Sequence, residues 1–458
     1  MSDQPEFLIL GGGSGGYACA FRAAQLGKTV TLIEEDKVGG TCLHRGCIPT
    51  KALVHAAEVA DTVTHASALG IGATLDGIDL GGVHAYKNAT VERLYKGLQG
   101  LVRSHKIEVV HGTGRYGGGR TVHVGDRTIT GTSLVLATGS QVRSLPGLEI
   151  GGRILTSDEA LTFPELPKRV VVLGGGVIGV EFASIWASLG ADVTIVEALP
   201  RLVAAEDEWS SKQLTRALRK RGITIMTGTR FAKAVQDEST VSVTVESGDT
   251  IEADLLLVAV GRGPRTADVG LTEHGVVLDS RGFVTVDDSL RTSQPDVYAV
   301  GDIVAGPQLA HRGFQQGIFV AETIAGLSPA PIEDSGIPRV TYSNPEVASV
   351  GLTEDQARER HGDVATVVYD LAGNGKSQIL GTSGGVKLVR AGATEGSVVG
   401  IHMVGERVGE LIGEAQLIVN WGAYPDEVAT LVHAHPTQTE ALGEAHLALA
   451  GTPLHSHS

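Results

Sequence analysis

The chain has 458 residues, with Lys+Arg 37 against Asp+Glu 52 and a formal net charge of −15. At about 100–200 residues per domain this length suggests three or four domains, with a core large enough to need neither disulfide staples nor a structural metal. The acidic balance excludes a general nucleic-acid binder, whose affinity rests on neutralising phosphates; apolar runs such as SLVLATG and DLLLVAVG fall far short of the about 18 residues of a membrane span; and the opening MSDQPEFLILGGG carries no secretory leader pattern, so a cytoplasmic protein is expected.

The first predicted strand, Phe7 to Leu10, runs into Gly11-Gly-Gly13-Ser-Gly-Gly16. A small-residue helix from Tyr17 to Leu26 follows, then Gly27, a strand from Thr29 to Ile33, and Glu34. Strand, G-x-G-x-x-G, helix, strand and acid form the dinucleotide fingerprint in its required context. Gly11 permits the tight turn, Gly13 lets the backbone approach a pyrophosphate, and Gly16 lets the helix pack closely on the strand. The helix N-terminus offers free N–H groups to the anion, and Glu34 can accept from a ribose diol.

Next comes Gly39-Gly-Thr-Cys42-Leu-His-Arg-Gly-Cys47-Ile-Pro-Thr-Lys51. A Cys-x4-Cys pair can be inert, bind metal or cycle as a disulfide. Zinc normally needs two further ligands at matching spacing, and no metal site is expected. A stable structural disulfide is unusual in the cytosol. Exchange chemistry is the best remaining use. Pro49 suits the first turn of a helix starting near Cys47, where the helix dipole would lower the thiol pKa. Lys51 lies one turn further on the same face. The third cysteine, Cys19, reads as a packed core thiol.

The strand Ser133 to Ala137 ends in Thr138-Gly139. The fingerprint then recurs. Val170 to Leu173 precedes Gly174-Gly-Gly176-Val-Ile-Gly179, a helix to Leu189, a strand from Asp192 to Val196, and Glu197. Each element stands 163 residues after its counterpart, so two dinucleotide sites are implied. Glu206-Asp-Glu208 reads as a solvated helix start. Strands from Leu255 to Val260 and from Val297 to Val300 end in Gly261-Arg262 and Gly301-Asp302. Such carboxyl ends of strands are candidate ligand walls. From about Val340 the texture becomes α+β, with strand-like Ala365 to Tyr369 and Gly385 to Val389 and a helical stretch from Glu406 to Trp421.

Together the two fingerprints, the cysteine segment, Ala299-Val-Gly-Asp302, Tyr342-Ser-Asn-Pro-Glu and the tail His433-Ala-His-Pro-Thr-Gln-Thr-Glu440 resemble the flavoprotein disulfide reductases over essentially the whole chain, most closely their dihydrolipoamide dehydrogenase branch. The resemblance implies an α/β protein of two Rossmann-like dinucleotide-binding domains plus a C-terminal α+β dimerisation domain. The expected boundaries are 1–145 and 269–337 for the FAD-binding and central parts, 146–268 for the NAD-binding domain and 338–458 for the interface domain.

Residue by residue, it implies FAD on Gly11, Gly13 and Gly16, with Glu34 on its ribose, Asp302 on its ribityl chain, and Thr138 and Gly139 at its wall. NAD is implied on Gly174, Gly176 and Gly179, with Glu197 on its ribose and Gly261 nearby. Cys47 is implied as the flavin-side sulfur and Cys42 as the outer one. Lys51 is implied to pair with Glu181 beside the flavin, and His435 to act as acid/base oriented by Glu440, with a cis His435–Pro436 bond. In this family the histidine serves the other subunit. A homodimer with shared sites is therefore expected, and a lipoyl-bearing acyltransferase of a 2-oxo acid dehydrogenase complex as partner.

A glutathione- or mycothiol-type reductase using NADPH is the alternative. It is opposed by Glu197, by the uncharged Ala198-Leu199-Pro200, and by Val177 where glutathione reductases typically carry a gating tyrosine. Mercuric reductase lacks support without a C-terminal cysteine pair, and a redox-silent scaffold is opposed by the intact Cys42, Cys47, His435 and Glu440. His433 reads as support for the motif, His455 and His457 as a polar tail, and His311 as a neighbour of the flavin.

Overall fold

The computed structural model describes residues 4–455; His457 lies outside them. Three five-stranded sheets organise the chain. The first is parallel, in the order Val297–Ala299, Ser133–Leu136, Phe7–Leu10, Val30–Glu34, Glu108–His111. Its central strands Phe7–Leu10 and Ser133–Leu136 are buried at every residue, as continuous apolar runs covered on both faces must be. The second parallel sheet repeats the plan, in the order Thr224–Thr227, Asp192–Glu197, Arg169–Leu173, Leu255–Val258, Ile154–Leu155. The third is antiparallel, in the order Arg339–Thr341, Glu346–Gly351, Val398–Gly405, Gly385–Ala391, Val364–Asp370.

The fingerprint helices begin earlier than glycine content suggests, at Ser14–Gln25 and Val177–Ser188. Their third glycines sit inside the first turn. A Cβ on Gly16 would lie 1.9 Å from the Gly11 carbonyl oxygen, and one on Gly179 1.9 Å from that of Gly174. The helix Ser14–Gln25 also packs on Ala310–Ile324, where a Cβ on Gly317 would stand 2.2 Å from the Gly15 carbonyl. That close approach draws residues beyond 300 against the N-terminal fingerprint.

The acidic run Glu206-Asp-Glu208 does start a helix, Glu208–Lys220, with Asp207 as its cap. It is not solvated: Glu206 and Asp207 are 5% and 2% exposed. Across the antiparallel sheet, Arg339, Ser349, His402 and Lys387 are direct cross-strand partners in one row, so their side chains share a face. That row meets the two acids. Lys387 Nζ lies 2.8 Å from Asp207 Oδ1, and Arg339 Nε 3.1 Å from Glu206 Oε1. Buried carboxylates persist where they are paired and hydrogen-bonded, and these partners lie more than 100 residues away in sequence.

Among the described residues no helix is long and apolar enough to cross a membrane.

Candidate active site

Both fingerprints are built bond for bond alike. Glu34 Oε2 accepts from Gly12 N at 2.6 Å and Oε1 from Asp36 N at 2.9 Å. Glu197 accepts from Gly175 N at 2.5 Å and Leu199 N at 2.6 Å. Each carboxylate is thus held by two backbone donors at the end of its strand, with lone pairs left for a diol. Gly11 and Gly174 adopt φ of 105° and 112°, where only glycine is comfortable. Gly13 and Gly176 face open space, which leaves a cradle for a pyrophosphate at each helix start. Gly16→Ala is expected to give a protein purified without bound flavin, read from its visible absorbance; full flavin content in the variant would contradict the packing role of that glycine.

From the first fingerprint a cavity of about 350 Å³ runs past Gly11, Gly13, Glu34, Thr138 and Gly139. It adjoins a second of about 470 Å³ that reaches Cys42, Cys47, Lys51, Glu181 and Asp302. Gly13, Arg45, Gly139, Ser140 and Arg262 line both, so an elongated dinucleotide fits from ribose to thiol pair. Asp302 Oδ2 accepts from Ser140 Oγ at 2.6 Å, and Ser140 also accepts from Arg262 Nε at 2.8 Å. Of the three strand ends expected as walls, Gly139 and Gly301 line the second cavity. Gly261 lines neither; it has φ 104°, and its carbonyl accepts from Arg143 N at 3.0 Å.

The thiol pair lies on two helices, Cys42 within Gly40–Arg45 and Cys47 at the first position of Cys47–His65, with the break at Gly46. Gly40 has φ 58°, and a Cβ there would stand 2.6 Å from Gly13 Cα. The cysteine segment therefore rests on the fingerprint itself. Cys42 and Cys47 are free thiols in side-chain hydrogen-bond contact. That bond is the largest influence on Cys47, whose pKa falls to about 7; burial opposes the fall, and Lys51 and a backbone N–H assist it. The same bond, with burial and the Cys47 charge, pushes Cys42 strongly upward.

Lys51 Nζ lies 2.9 and 2.7 Å from the two oxygens of buried Glu181. Tyr342 N donates to Glu181 Oε1 at 2.9 Å, and the Tyr342 ring lies beneath Lys51 Nζ, 4.7 Å from centroid to nitrogen. The sequence marks Arg262 only as part of a candidate ligand wall, Arg45 only as a member of the cysteine segment and Tyr342 only as part of a motif in the C-terminal domain, and it gives Ser140 no role. Tyr342 meets Glu181 across 161 residues, a pairing no local spacing encodes. Val177 and His311 line the same cavity, with His311 Nε2 2.8 Å from the Pro338 carbonyl.

His435 and Glu440 lie apart from this cluster. His435 Nδ1 is 2.8 Å from Glu440 Oε1, whose other oxygen accepts from Thr437 N at 2.7 Å. Burial opposes ionisation of Glu440, but these contacts outweigh it and hold its pKa below the usual carboxylate range. The His435–Pro436 peptide is cis. The segment is anchored by Asn374 Nδ2 to the Thr437 carbonyl at 3.0 Å, Gln438 Nε2 to the Glu406 carbonyl at 2.7 Å, and His433 with Glu414 at 2.7 Å. Yet the His435 side chain is 79% exposed and lines neither cavity. His455 pairs with Glu444 at 2.7 Å.

Residues 5–317 match the pyridine nucleotide-disulphide oxidoreductase family and residues 337–446 its dimerisation domain. The chain is 37% identical over 474 residues to a dihydrolipoyl dehydrogenase of Bacillus subtilis (strain 168), covering 99% of this chain and 100% of the relative. It is 38% identical over 460 residues to one from Geobacillus stearothermophilus, covering 99% and 97%. Among solved structures it is similar to LpdA from Mycobacterium tuberculosis, with a TM-score of 0.90 and 26% identity over 97% of this chain and 99% of that one. It is also similar to the HOCl-induced flavoprotein disulfide reductase RclA from Escherichia coli, with a TM-score of 0.86 and 27% identity over 96% and 99%.

Proposed function

We propose that this chain, which belongs to the pyridine nucleotide-disulphide oxidoreductase family, is the oxidoreductase that returns dihydrolipoamide to lipoamide with NAD⁺. It is an enzyme with FAD and NAD as cofactors, and its dimerisation domain supports a homodimer. The observation that carries the dithiol reading is the Cys42–Cys47 pair in one cavity with the bonded Lys51 and Glu181.

In this reading the oxidised enzyme holds a Cys42–Cys47 disulfide. His435 takes the proton from one substrate thiol, because exchange proceeds through the thiolate. The thiolate attacks Cys42, the Cys42–Cys47 bond breaks, and Cys47 leaves as a thiolate. The second substrate thiol then displaces Cys42 and closes lipoamide, leaving its proton on Cys42. The raised Cys42 and lowered Cys47 pKa suit these end states. Lys51, fixed by Glu181 and Tyr342, stabilises negative charge beside Cys47. Gly11, Gly13, Gly16, Glu34, Thr138, Gly139 and Asp302 would hold FAD, which would supply a two-electron acceptor between the thiol pair and NAD⁺. Gly174, Gly176, Gly179 and Glu197 hold the NAD, with Gly261 nearby. The exposed His435–Glu440 pair supports a site completed by a second copy of the chain. The lipoyl group would arrive on an acyltransferase of a 2-oxo acid dehydrogenase complex.

Steady-state assays of the holoenzyme test this directly. NAD⁺ is expected to exceed NADP⁺ in kcat/KM by at least about tenfold, since charge-assisted ribose bonds to Glu197 are each worth about 1.5–3 kcal/mol. Equal efficiency with both would overturn the NAD assignment. Turnover of glutathione or mycothiol disulfide with NADPH, and none of dihydrolipoamide, would overturn the substrate.

A further inference from the structure

We propose that the interface sheet sets nicotinamide-dinucleotide specificity at a distance, through a buried Lys387–Asp207 latch that holds the ribose loop with Arg201 turned inward. This rests on the reading of the second fingerprint as the NAD site.

The loop runs from Glu197 to Asp207. At its start, Glu197 is fixed by Gly175 N and Leu199 N. In its middle, Val203 N donates to the carbonyl of the same Gly175 at 2.8 Å, so the loop is tied to the fingerprint turn. Val203 takes φ 40°, a conformation a β-branched residue keeps only when its surroundings impose it. At its end, Asp207 is saturated. Its Oδ1 accepts from Lys387 Nζ at 2.8 Å and Trp209 N at 2.9 Å, and its Oδ2 from Glu354 N at 2.9 Å. Lys387 Nζ also reaches Glu354 Oε2 at 2.7 Å. Arg339 and Ser349 grip Glu206 from the same sheet row.

Arg201 is the one cation in this loop, four residues past the ribose acid. An arginine near this strand end is what accommodates a 2′-phosphate in NADP-binding relatives of the fold. Here both terminal nitrogens are committed inward, Nη1 to the Glu206 carbonyl and Nη2 to the Ala204 carbonyl, each at 2.8 Å. Glu206 adjoins Asp207. The backbone that occupies Arg201 is therefore the backbone the interface sheet clamps. Loosening the latch would both shift Glu197 relative to the ribose and free Arg201 for a phosphate.

Lys387→Met alone leaves Asp207 charged and unpaired in the interior, which is strongly destabilising. The working variant is therefore the double Asp207→Asn, Lys387→Met, in which no buried charge of the pair is left over and the amide oxygen still caps Trp209 N. In the holoenzyme, the Kd for NADH (fluorescence titration) and the KM for NAD⁺ are expected to rise about 2- to 30-fold. The kcat/KM with NADP⁺ is expected to rise, so that the NAD⁺:NADP⁺ ratio falls by more than the loss with NAD⁺ alone. Flavin reduction by dihydrolipoamide without nucleotide should stay within about twofold, a split that general destabilisation does not produce. Adding Arg201→Gln should remove the gain with NADP⁺. An unchanged Kd and cofactor ratio in the double variant overturns the latch, as does an equal loss in the dithiol half-reaction. A gain that survives Arg201→Gln overturns the part given to Arg201. Failure of the NAD reading shows separately, as lack of NAD⁺ preference in the wild type.

Discussion

Cys47→Ser is expected to abolish dihydrolipoamide turnover, by about 10⁴-fold or more as for other lost reacting groups, and to remove the long-wavelength charge-transfer band that a Cys47 thiolate beside bound flavin would give the two-electron-reduced enzyme. Serine cannot form the disulfide, and its hydroxyl does not ionise in the accessible range. Cys42→Ser should lose turnover as completely but show the opposite spectrum, with the band present before any reductant is added. The difference follows from the asymmetry of the pair. Cys47 has its pKa drawn down to about 7, chiefly by the hydrogen bond with Cys42, against the effect of burial and with help from Lys51. A serine hydroxyl at 42 can keep donating to it. Because only the thiolate gives the band, its intensity in Cys42→Ser should grow as pH rises through about 7 and fade below. Reversed spectra in the two variants would show that the inner and outer sulfurs are exchanged.

His435→Gln should reduce dihydrolipoamide turnover by about 10²–10⁴-fold, the usual worth of acid–base catalysis. Flavin content and NADH oxidation by artificial dyes should survive, since neither needs a thiol deprotonated. His44 stands closer to Cys42 in sequence, but its Nε2 lies 3.0 Å from the Val38 carbonyl. His435 instead has a carboxylate orienter, Glu440 at 2.8 Å, which fixes the tautomer and stabilises the imidazolium. Its exposure allows a subunit-mixing test. Inactive Cys42→Ser and inactive His435→Gln chains, re-dimerised together, should regain activity through mixed dimers holding one complete site. Confirmed mixed dimers without activity would end the shared-site reading.

What could be read from sequence was local. The turn of Gly11–Gly16 and its copy at Gly174–Gly179 carry their reasons within six residues: a positive φ, an open face and a helix that must touch a strand. The His435–Glu440 pairing spans six residues, and the cysteine segment thirteen. The Lys51–Glu181 contact joins residues 130 apart; it came from family resemblance, since no spacing rule links them. Where long-range packing decides and no motif speaks, the sequence was silent or misleading. Tyr342 gave no sign that its ring and N–H would meet Lys51 and Glu181. Glu206 and Asp207 have the composition of a solvated helix start, and only the arrival of Arg339 and Lys387 from the interface sheet makes their burial affordable. Nothing local in the sequence marks Arg201, because its commitment to the Glu206 and Ala204 carbonyls is a property of loop shape.

The packing of the first fingerprint helix on Ala310–Ile324 also governs the chain's sulfur chemistry. Three cysteines allow three pairings on paper. Cys19 is wholly buried, its nitrogen only 2.8 Å from where a Cβ on Gly317 would stand, and desolvation raises its thiol pKa strongly. Exchange requires a thiolate with access to its target, and Cys19 has neither. The glycine-to-backbone contact that brings two distant parts of the chain together thereby quarantines the spare sulfur, and scrambling into a dead-end isomer is closed off while the fold is intact.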